Sequence, residues 1–285
     1  VKRANADFWG LPMPDTPDRE PSSAELNTDV AHSARVYDYL LGGKDHYAAD
    51  RAAAEEVVKV APYMRTSVRA SRNFMVRVAR YLAAERGIRQ YLDIGTGLPT
   101  SPNLHEIVQA VDPTSRVIYV DNDPIVLVHA RALLTSTPEG RSRYIEADVG
   151  DPDAILASPE VDETLNLKEP VALCLIAVLH FIHDEDQARG IVEQLMEPLA
   201  PGSFLALSTI ASDSAPQQVR AAVAKYNSRG INSKARPKAD IEKLFGNLEM
   251  VEPGVVPVHH WHPDAEARAI DDSQVSMYGG VALKR

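Results

Sequence analysis

The chain has 285 residues, enough for one sizeable core or for a large domain with an appendage. Apolar residues at 45 % and charged residues at 25 % are ordinary for a globular protein, and neither a bilayer-length apolar run nor a basic-apolar-small leader supports membrane insertion or secretion. With 40 acidic against 30 basic side chains the formal charge is −10, which opposes a broad footprint on nucleic acid, and the single Cys174 rules out an intramolecular disulfide and suits a reducing cytoplasm.

Residues 1–30 carry Pro12, Pro14, Pro17 and Pro21 and read as an extended arm. Residues 31–88 are helical in pattern, with Gly42-Gly43 stopping the first helix and Pro62 breaking the second, and are expected to form a cap over the unit that follows. Arg65, Arg69, Arg72, Arg77 and Arg80 share a long helical stretch with Phe74, Val78, Tyr81 and Leu82, a spacing that predicts a solvated face opposite a core face. Gly42-Gly43-Lys44-Asp45 lacks the strand and the Gly-Lys-Ser/Thr order of a phosphate loop. It reads equally as a helix-ending turn or as a lid in which Tyr37, Tyr39, Lys44, His46 and Tyr47 face a ligand, with Arg35 to Tyr47 roofing the cavity.

From Gln90 the pattern changes to alternating strands and helices. Gln90-Tyr-Leu-Asp-Ile-Gly-Thr-Gly-Leu-Pro-Thr100 sets Asp93 at the end of an apolar run, followed by Gly95, Thr96 and Gly97. A dinucleotide fingerprint wants a third glycine where Thr100 stands, so a pyrophosphate is disfavoured, and an acid before the first glycine suits a ligand with an amino group near a ribose, as in S-adenosylmethionine. Arg116 to Asp121 is a second strand, followed by Asn122 and an Asp123-Pro124 helix start; Arg143 to Asp148 is a third, with Val149 after it. Asp121 can accept from ribose hydroxyls and Asp148 from an adenine amino group; each alone could be an ordinary strand-end polar residue.

Val171 to His180 is a near-continuous apolar run suited to a buried parallel strand, with Ala177 and His180 at its ligand end. His183 to Leu199 reads as an amphipathic helix, Ser203 to Ile210 as a fifth strand, and Leu248 to Val251, Val255 to Trp261 and Val275 to Leu283 as closing strands. The sum is a doubly wound, mostly parallel seven-stranded α/β sheet with a closing antiparallel edge hairpin, divided as arm 1–30, helical cap 31–88 and Rossmann-like domain 89–285.

His180 is the best-placed general base, although a packed strand-end histidine is the plainer account. After that strand Ala177-Val-Leu-His180 stands where an Asp/Asn-Pro-Pro-Tyr string would signal an amide or nucleobase nitrogen acceptor. His259, His260 and His262, placed on a strand, point to alternating faces and cannot reach one ion, so no metal is expected there and Trp261 anchors a surface strand.

From about Ala31 to Arg285 the chain resembles a family of S-adenosylmethionine-dependent methyltransferases, found mainly in actinobacteria and long catalogued as a domain of unknown function. The resemblance rests on Ser33-Ala-Arg-Val-Tyr-Asp-Tyr-Leu-Leu-Gly-Gly-Lys-Asp45, Asp93 to Thr100, Asn103, His105-Glu106, Tyr119 to Pro124 and Tyr278-Gly-Gly-Val281. His46 stands where the family suggests asparagine, and His260 and His262 where arginine is more usual. The resemblance implies a class I methyltransferase fold and cofactor contacts at Asp93, Gly95, Gly97, Asp121 and Asp148, with Thr96, Asn122, Val149 and Ala177 completing the pocket. It names no acceptor. The expectation is methyl transfer to a small molecule in the cytoplasm, without nucleic acid or membrane; a binding-only regulatory module and, more weakly, a nucleotide oxidoreductase are the alternatives.

Overall fold

A computed structural model describes residues 27–133 and 135–285. The expected arm therefore lies, except for residues 27–30, outside the described residues. Three helices precede the sheet: α1 (Ser33–Leu41), α2 (Ala48–Val60) and α3 (Met64–Ala84). Strands and helices then alternate through β1 (Gln90–Ile94), α4 (Leu104–Val111), β2 (Arg116–Asp121), α5 (Pro124–Leu133), β3 (Arg141–Glu146), α6 (Pro152–Leu156), α7 (Pro159–Thr164), β4 (Ala172–Ile176), α8 (Glu185–Met196) and β5 (Phe204–Ile210). The chain closes with α9 (Pro216–Ser228), α10 (Lys238–Lys243), β6 (Glu249–Met250), β7 (Val256–Pro257), α11 (Ala265–Arg268) and β8 (Met277–Leu283). Helix starts follow local chemistry: Asp151 and Asp184 accept from N–H groups of the first turns of α6 and α8, and Gly42, at φ +88°, ends α1.

The sheet runs β3-β2-β1-β4-β5-β8-β6, with β3 to β5 parallel and β8 antiparallel between β5 and β6. This is the doubly wound, mostly parallel fold expected, with one refinement. The closing strand is split, so that β6 pairs with the Leu283 end of β8 and β7 with its Tyr278 end. A turn between them is closed by the Gly254 N–H onto the Val251 carbonyl at 2.9 Å.

Alternation sorts the strands into two cores. Leu92, Ile118, Leu173 and Leu205 face one layer with α8, while Tyr91, Val117, Ala172 and Phe204 face the other with α3 and α4. Cys174 lies on the α3 face, where burial pushes its thiol well up, in line with an inert side chain. The helix α3 thus belongs to the sheet's own packing through Phe74, Met75 and Val78, whereas α1 and α2 share a separate cluster with α9, built on Val36, Leu40, Val57 and Ala222.

Several boundaries and faces differ from the sequence expectation. The fourth apolar run leaves the sheet at Ile176, because Ala177 takes φ +57° and residues 179–181 wind into a 3-10 turn carrying His180. The arginine face of α3 is not uniformly solvated: Arg77 is buried and donates to the carbonyls of Trp261 (3.0 Å) and Val258 (2.7 Å). Residues 258–260 likewise form a 3-10 turn in place of a strand, and Trp261 is fully buried, edge-on to Phe74 and Tyr81. No helix among the described residues is long and apolar enough to cross a membrane.

Candidate active site

The order in which successive strands are added reverses between the parallel neighbours β1 and β4, and open α/β sheets place ligands at such a switch point, beyond the carboxyl ends of the strands. A cavity of about 410 Å³ opens there. It is lined by every residue expected at the cofactor site, namely Asp93, Gly95, Thr96, Gly97, Asp121, Asn122, Asp148, Val149 and Ala177, and also by His180 and Tyr37.

The glycine loop is shaped by packing on one side and left bare on the other. Gly95 has φ +72°, and a Cβ there would lie 2.4 Å from Val178 Cγ2, so both conformation and contact demand glycine. Gly97, at φ +68°, would project a Cβ into open space, which leaves its backbone accessible to a ligand. Its N–H donates to Asp121 Oδ2 at 2.8 Å, and the Asp123 N–H donates to Asp121 Oδ1 at 3.0 Å, so the β2 carboxylate is held against the loop.

Three carboxylates of different character surround this loop. Asp93 accepts from Thr96 Oγ1 at 2.9 Å, and burial, helped by the Asp121 charge, pushes it up to about 6 against the lowering effects of Thr96 and Arg72. Asp121 is also raised, first by burial, while the N–H donors of Asp123 and Gly97 pull it down. Asp148 is exposed and accepts from Asn122 Nδ2 at 2.6 Å and the Gly150 N–H at 2.7 Å. Two buried carboxylates, an exposed third and a bare glycine backbone thus line one cavity.

Ala177 holds its strained backbone by donating its N–H to the Ser208 carbonyl at 3.0 Å and to Ser208 Oγ at 3.1 Å. His180 follows, buried, with no hydrogen-bond partner at Nδ1 among the described residues. Burial and, secondarily, the Arg236 guanidinium push its imidazole down to about 3, so the ring is neutral at physiological pH. A fully buried Arg236 clamps this turn by donating to the carbonyls of Leu179 (2.8 Å) and Ile182 (2.5 Å) and to Glu185 Oε2 (2.7 Å).

Of the proposed lid residues only Tyr37 lines the cavity. On α1, Tyr39 lies off Tyr37's face: it donates to Glu55 and meets His46 edge-on. The Gly-Gly-Lys-Asp string curls around Asp38, whose Oδ2 accepts from the Asp45 N–H at 3.0 Å and meets His46 Nδ1 at 2.9 Å. Gly43 sits so close to Asp38 that a Cβ would fall 1.8 Å from its Oδ1. The string is therefore a helix-ending turn, with Lys44 and Tyr47 exposed. What fixes α1 over the β2 end is charge: Asp123 pairs with His32 Nδ1 at 3.0 Å and with Arg35 Nε at 3.4 Å, and Arg35 also faces the buried Asp50 at 3.6 Å. Burial opposes ionisation of Asp123, but the hydrogen bond from His32 and the interactions with His32 and Arg35 outweigh it and hold its carboxyl below the usual range.

Sequence reasoning missed much of the far wall. Met64, Ser67, Val68, Ser71, Arg72 and Met75 line the cavity from α3, spaced along one helical stripe that the more apolar Phe74–Val78 stripe obscured. Tyr226, in the last turn of α9, and residues 230–233 after it also line the cavity, a segment with no recognisable motif. The three histidines separate as well: Nε2 of His259 and Nε2 of His260 lie 2.9 and 2.7 Å from Asp272 Oδ1, whereas His262 Nε2 lies 3.0 Å from the Glu252 carbonyl. None of the three histidines, nor Asp272, lines the cavity.

A family model described as S-adenosyl methyltransferase matches residues 19–285. A crystal structure of a DUF574 family protein from Streptomyces avermitilis is 52 % identical, with a TM-score of 0.89, covering 91 % of this chain and 100 % of that one. A proposed methyltransferase from Thermobifida fusca is 38 % identical, with a TM-score of 0.84, covering 91 % of this chain and 97 % of that one. Both sources are actinobacteria. No curated protein matches the chain.

Proposed function

Because the chain belongs to the S-adenosyl methyltransferase family and is an S-adenosylmethionine-dependent enzyme, we propose that it methylates a small molecule by in-line displacement within the cavity at the β1–β4 switch point. The observation that carries this reading is the convergence of Asp93, Asp121 and Asp148, from three neighbouring strand ends, on one cavity with the bare backbone of Gly97. When bound, S-adenosylmethionine supplies an electrophilic methyl group on a positively charged sulfur.

In this reading Asp121 receives the ribose hydroxyls, Asp93 the ammonium, and Asn122, Asp148 and Val149 the adenine. Gly97 allows close backbone approach. The strained Ala177 and the 3-10 turn behind it place His180 in the cavity lining, and a ring of such low basicity cannot store a proton at neutral pH. Most of the acceleration then comes from holding donor and acceptor in line and from excluding water, the task of a cap formed by α1, α2 and α9. Within residues 31–88 this assigns the roof to α1, through Tyr37, while α3 contributes the wall. The net charge of −10 disfavours a polyanionic substrate, and the buried single thiol suits a reducing cytoplasm. The His259, His260 and Asp272 group, outside the cavity lining, has no part in transfer.

Calorimetric titration tests this. Saturable one-to-one binding of S-adenosylmethionine and of S-adenosylhomocysteine is expected, weakened at least ~10-fold by Asp121→Ala through loss of charge-assisted hydrogen bonds. Absence of binding by either ligand overturns the site assignment.

A further inference from the structure

The cavity is rich in acid and poor in base. Asp93, Asp121 and Asp148 line it, and of the basic side chains beside them His32 is paired with Asp123 and burial keeps the His180 imidazole neutral. Arg72, on α3, is the one arginine or lysine of the lining among the described residues. Any anionic group of a ligand that enters must therefore look to Arg72 for a counter-charge, because elsewhere in the cavity it meets carboxylates.

The guanidinium of Arg72 is held in place but not used up. Its Nη2 donates to the carbonyl of Thr100 and, at 2.8 Å, to that of Pro102, which fixes the group against the segment that follows the glycine loop. Nε is buried and closed to a ligand; Nη1 has no acceptor among the described residues and, unlike Nε, is not sealed from solvent. The charge acts inward, favouring the ionised forms of Asp93 and Tyr37, both in the lining. Yet Arg72 and Asp93 form no ion pair, and the hydrogen bond on Asp93 comes from Thr96. A cation and an anion thus face one space without meeting, the arrangement that suits a group carrying both charges. An α-amino acid is such a group, since its ammonium and carboxylate share one carbon atom.

Resting on the placement of the cofactor ammonium at Asp93 given above, we infer that Arg72 receives the carboxylate of S-adenosylmethionine through Nη1 and makes the site specific for the intact amino-acid end. A guanidinium already fixed at Nη2 loses little freedom when it binds, so the second bond forms on a preorganised group. The arm of the cofactor is then tied at both of its charges, and the sulfur between that arm and the ribose is held in one orientation. The same residue rejects a ligand that keeps the sulfonium and the ammonium but lacks the carboxylate, because Arg72 then opposes two positive charges and gains no partner.

The test is calorimetric titration at constant pH with S-adenosylmethionine, S-adenosylhomocysteine, decarboxylated S-adenosylmethionine and methylthioadenosine, which lacks the whole amino-acid arm. The unaltered enzyme is expected to bind S-adenosylmethionine at least ~10-fold more tightly than its decarboxylated form. Arg72→Met should weaken S-adenosylmethionine and S-adenosylhomocysteine at least ~10-fold and leave the other two no weaker, since the lost side chain repelled one and never met the other. Arg72→Lys, which keeps the charge without the fork, should restore part of the preference. Equal weakening of all four ligands by Arg72→Met would mean that the residue only holds Thr100 and Pro102 in place, and no weakening of any would mean that the carboxylate lies elsewhere; either overturns the inference. So does equal affinity of the unaltered enzyme for S-adenosylmethionine and its decarboxylated form, a comparison that needs no variant to fold. Failure of all four to bind the unaltered enzyme would instead sink the site assignment on which the inference rests.

Discussion

Protonating Asp93 should release the cofactor, and the size of the effect follows from its setting. The carboxyl is buried, with Thr96 as its hydrogen-bond donor and Arg72 acting only through charge, and burial holds it at about 6 in the ligand-free enzyme. An arriving ammonium favours the charged form and returns the group toward its ordinary value near 4. Only the ionised enzyme then binds well. About 90 % of Asp93 is protonated at pH 5 and about 10 % at pH 7, so the Kd for S-adenosylmethionine should rise roughly tenfold between pH 7 and pH 5. The range lies below the titration of a free α-amino group, which keeps the ligand's own ionisation out of the measurement. Calorimetry at pH 6 in two buffers of different ionisation enthalpy should report about half a proton released per ligand bound. Asp93→Asn should bind weakly at every pH and release none. A Kd flat from pH 5 to 7, with heats independent of buffer, would refute the reasoning.

Other consequences follow from the same geometry. Because the folded-state value of Asp93 is raised, its contribution to stability is present in full below about pH 4 and lost as pH rises through 6; Asp93→Asn should therefore stabilise the ligand-free enzyme at pH 8 by on the order of 3 kcal/mol in urea unfolding, with the gain gone by pH 4. Gly97→Ala, whose added methyl meets nothing in the protein, should cost about 1–2 kcal/mol of stability from its positive φ, whereas Gly95→Ala should cost more because its methyl also collides with Val178; paired thermal melts decide this. Arg236→Met should destabilise by roughly 3–5 kcal/mol, since it strands the carbonyls of Leu179 and Ile182 and leaves Glu185 with Lys234 alone, and the His180 ring, freed of a neighbouring cation, should titrate higher by NMR. Trp261→Ala should cost about 3–5 kcal/mol through an unfilled cavity against Phe74 and Tyr81.

The strand-end side of the cavity was legible in the sequence because each feature is local. An apolar run ending in an acid, then glycine or Asp-Pro, fixes strand, turn and helix within a few residues, which is how Asp93, Asp121 and Asp148 were placed. The opposite wall was not, because it is assembled from faces. Met64 to Met75 is one stripe of a helix whose other stripe is more apolar, and Tyr226 to Ser233 joins it only through tertiary packing. Charge misled once: Arg77 reads as solvent-facing in any helical pattern, and only the position of the Trp261 and Val258 carbonyls makes its burial favourable. Lys44 sits in a string that folds around Asp38 as a helix-ending turn, one of the two readings its sequence left open. The run to His180 concealed a strand end because hydrophobicity does not record that Ala177 adopts a positive φ.

The most direct test of the central claim is a crystal structure of the enzyme bound to S-adenosylhomocysteine. The account predicts the ribose hydroxyls on Asp121, the ammonium at Asp93, the adenine against Asn122, Asp148 and Val149, and the sulfur turned toward His180 and the chamber walled by Tyr37 and Tyr226. A ligand seated away from Gly97, or with its sulfur pointing from that chamber to solvent, would contradict it.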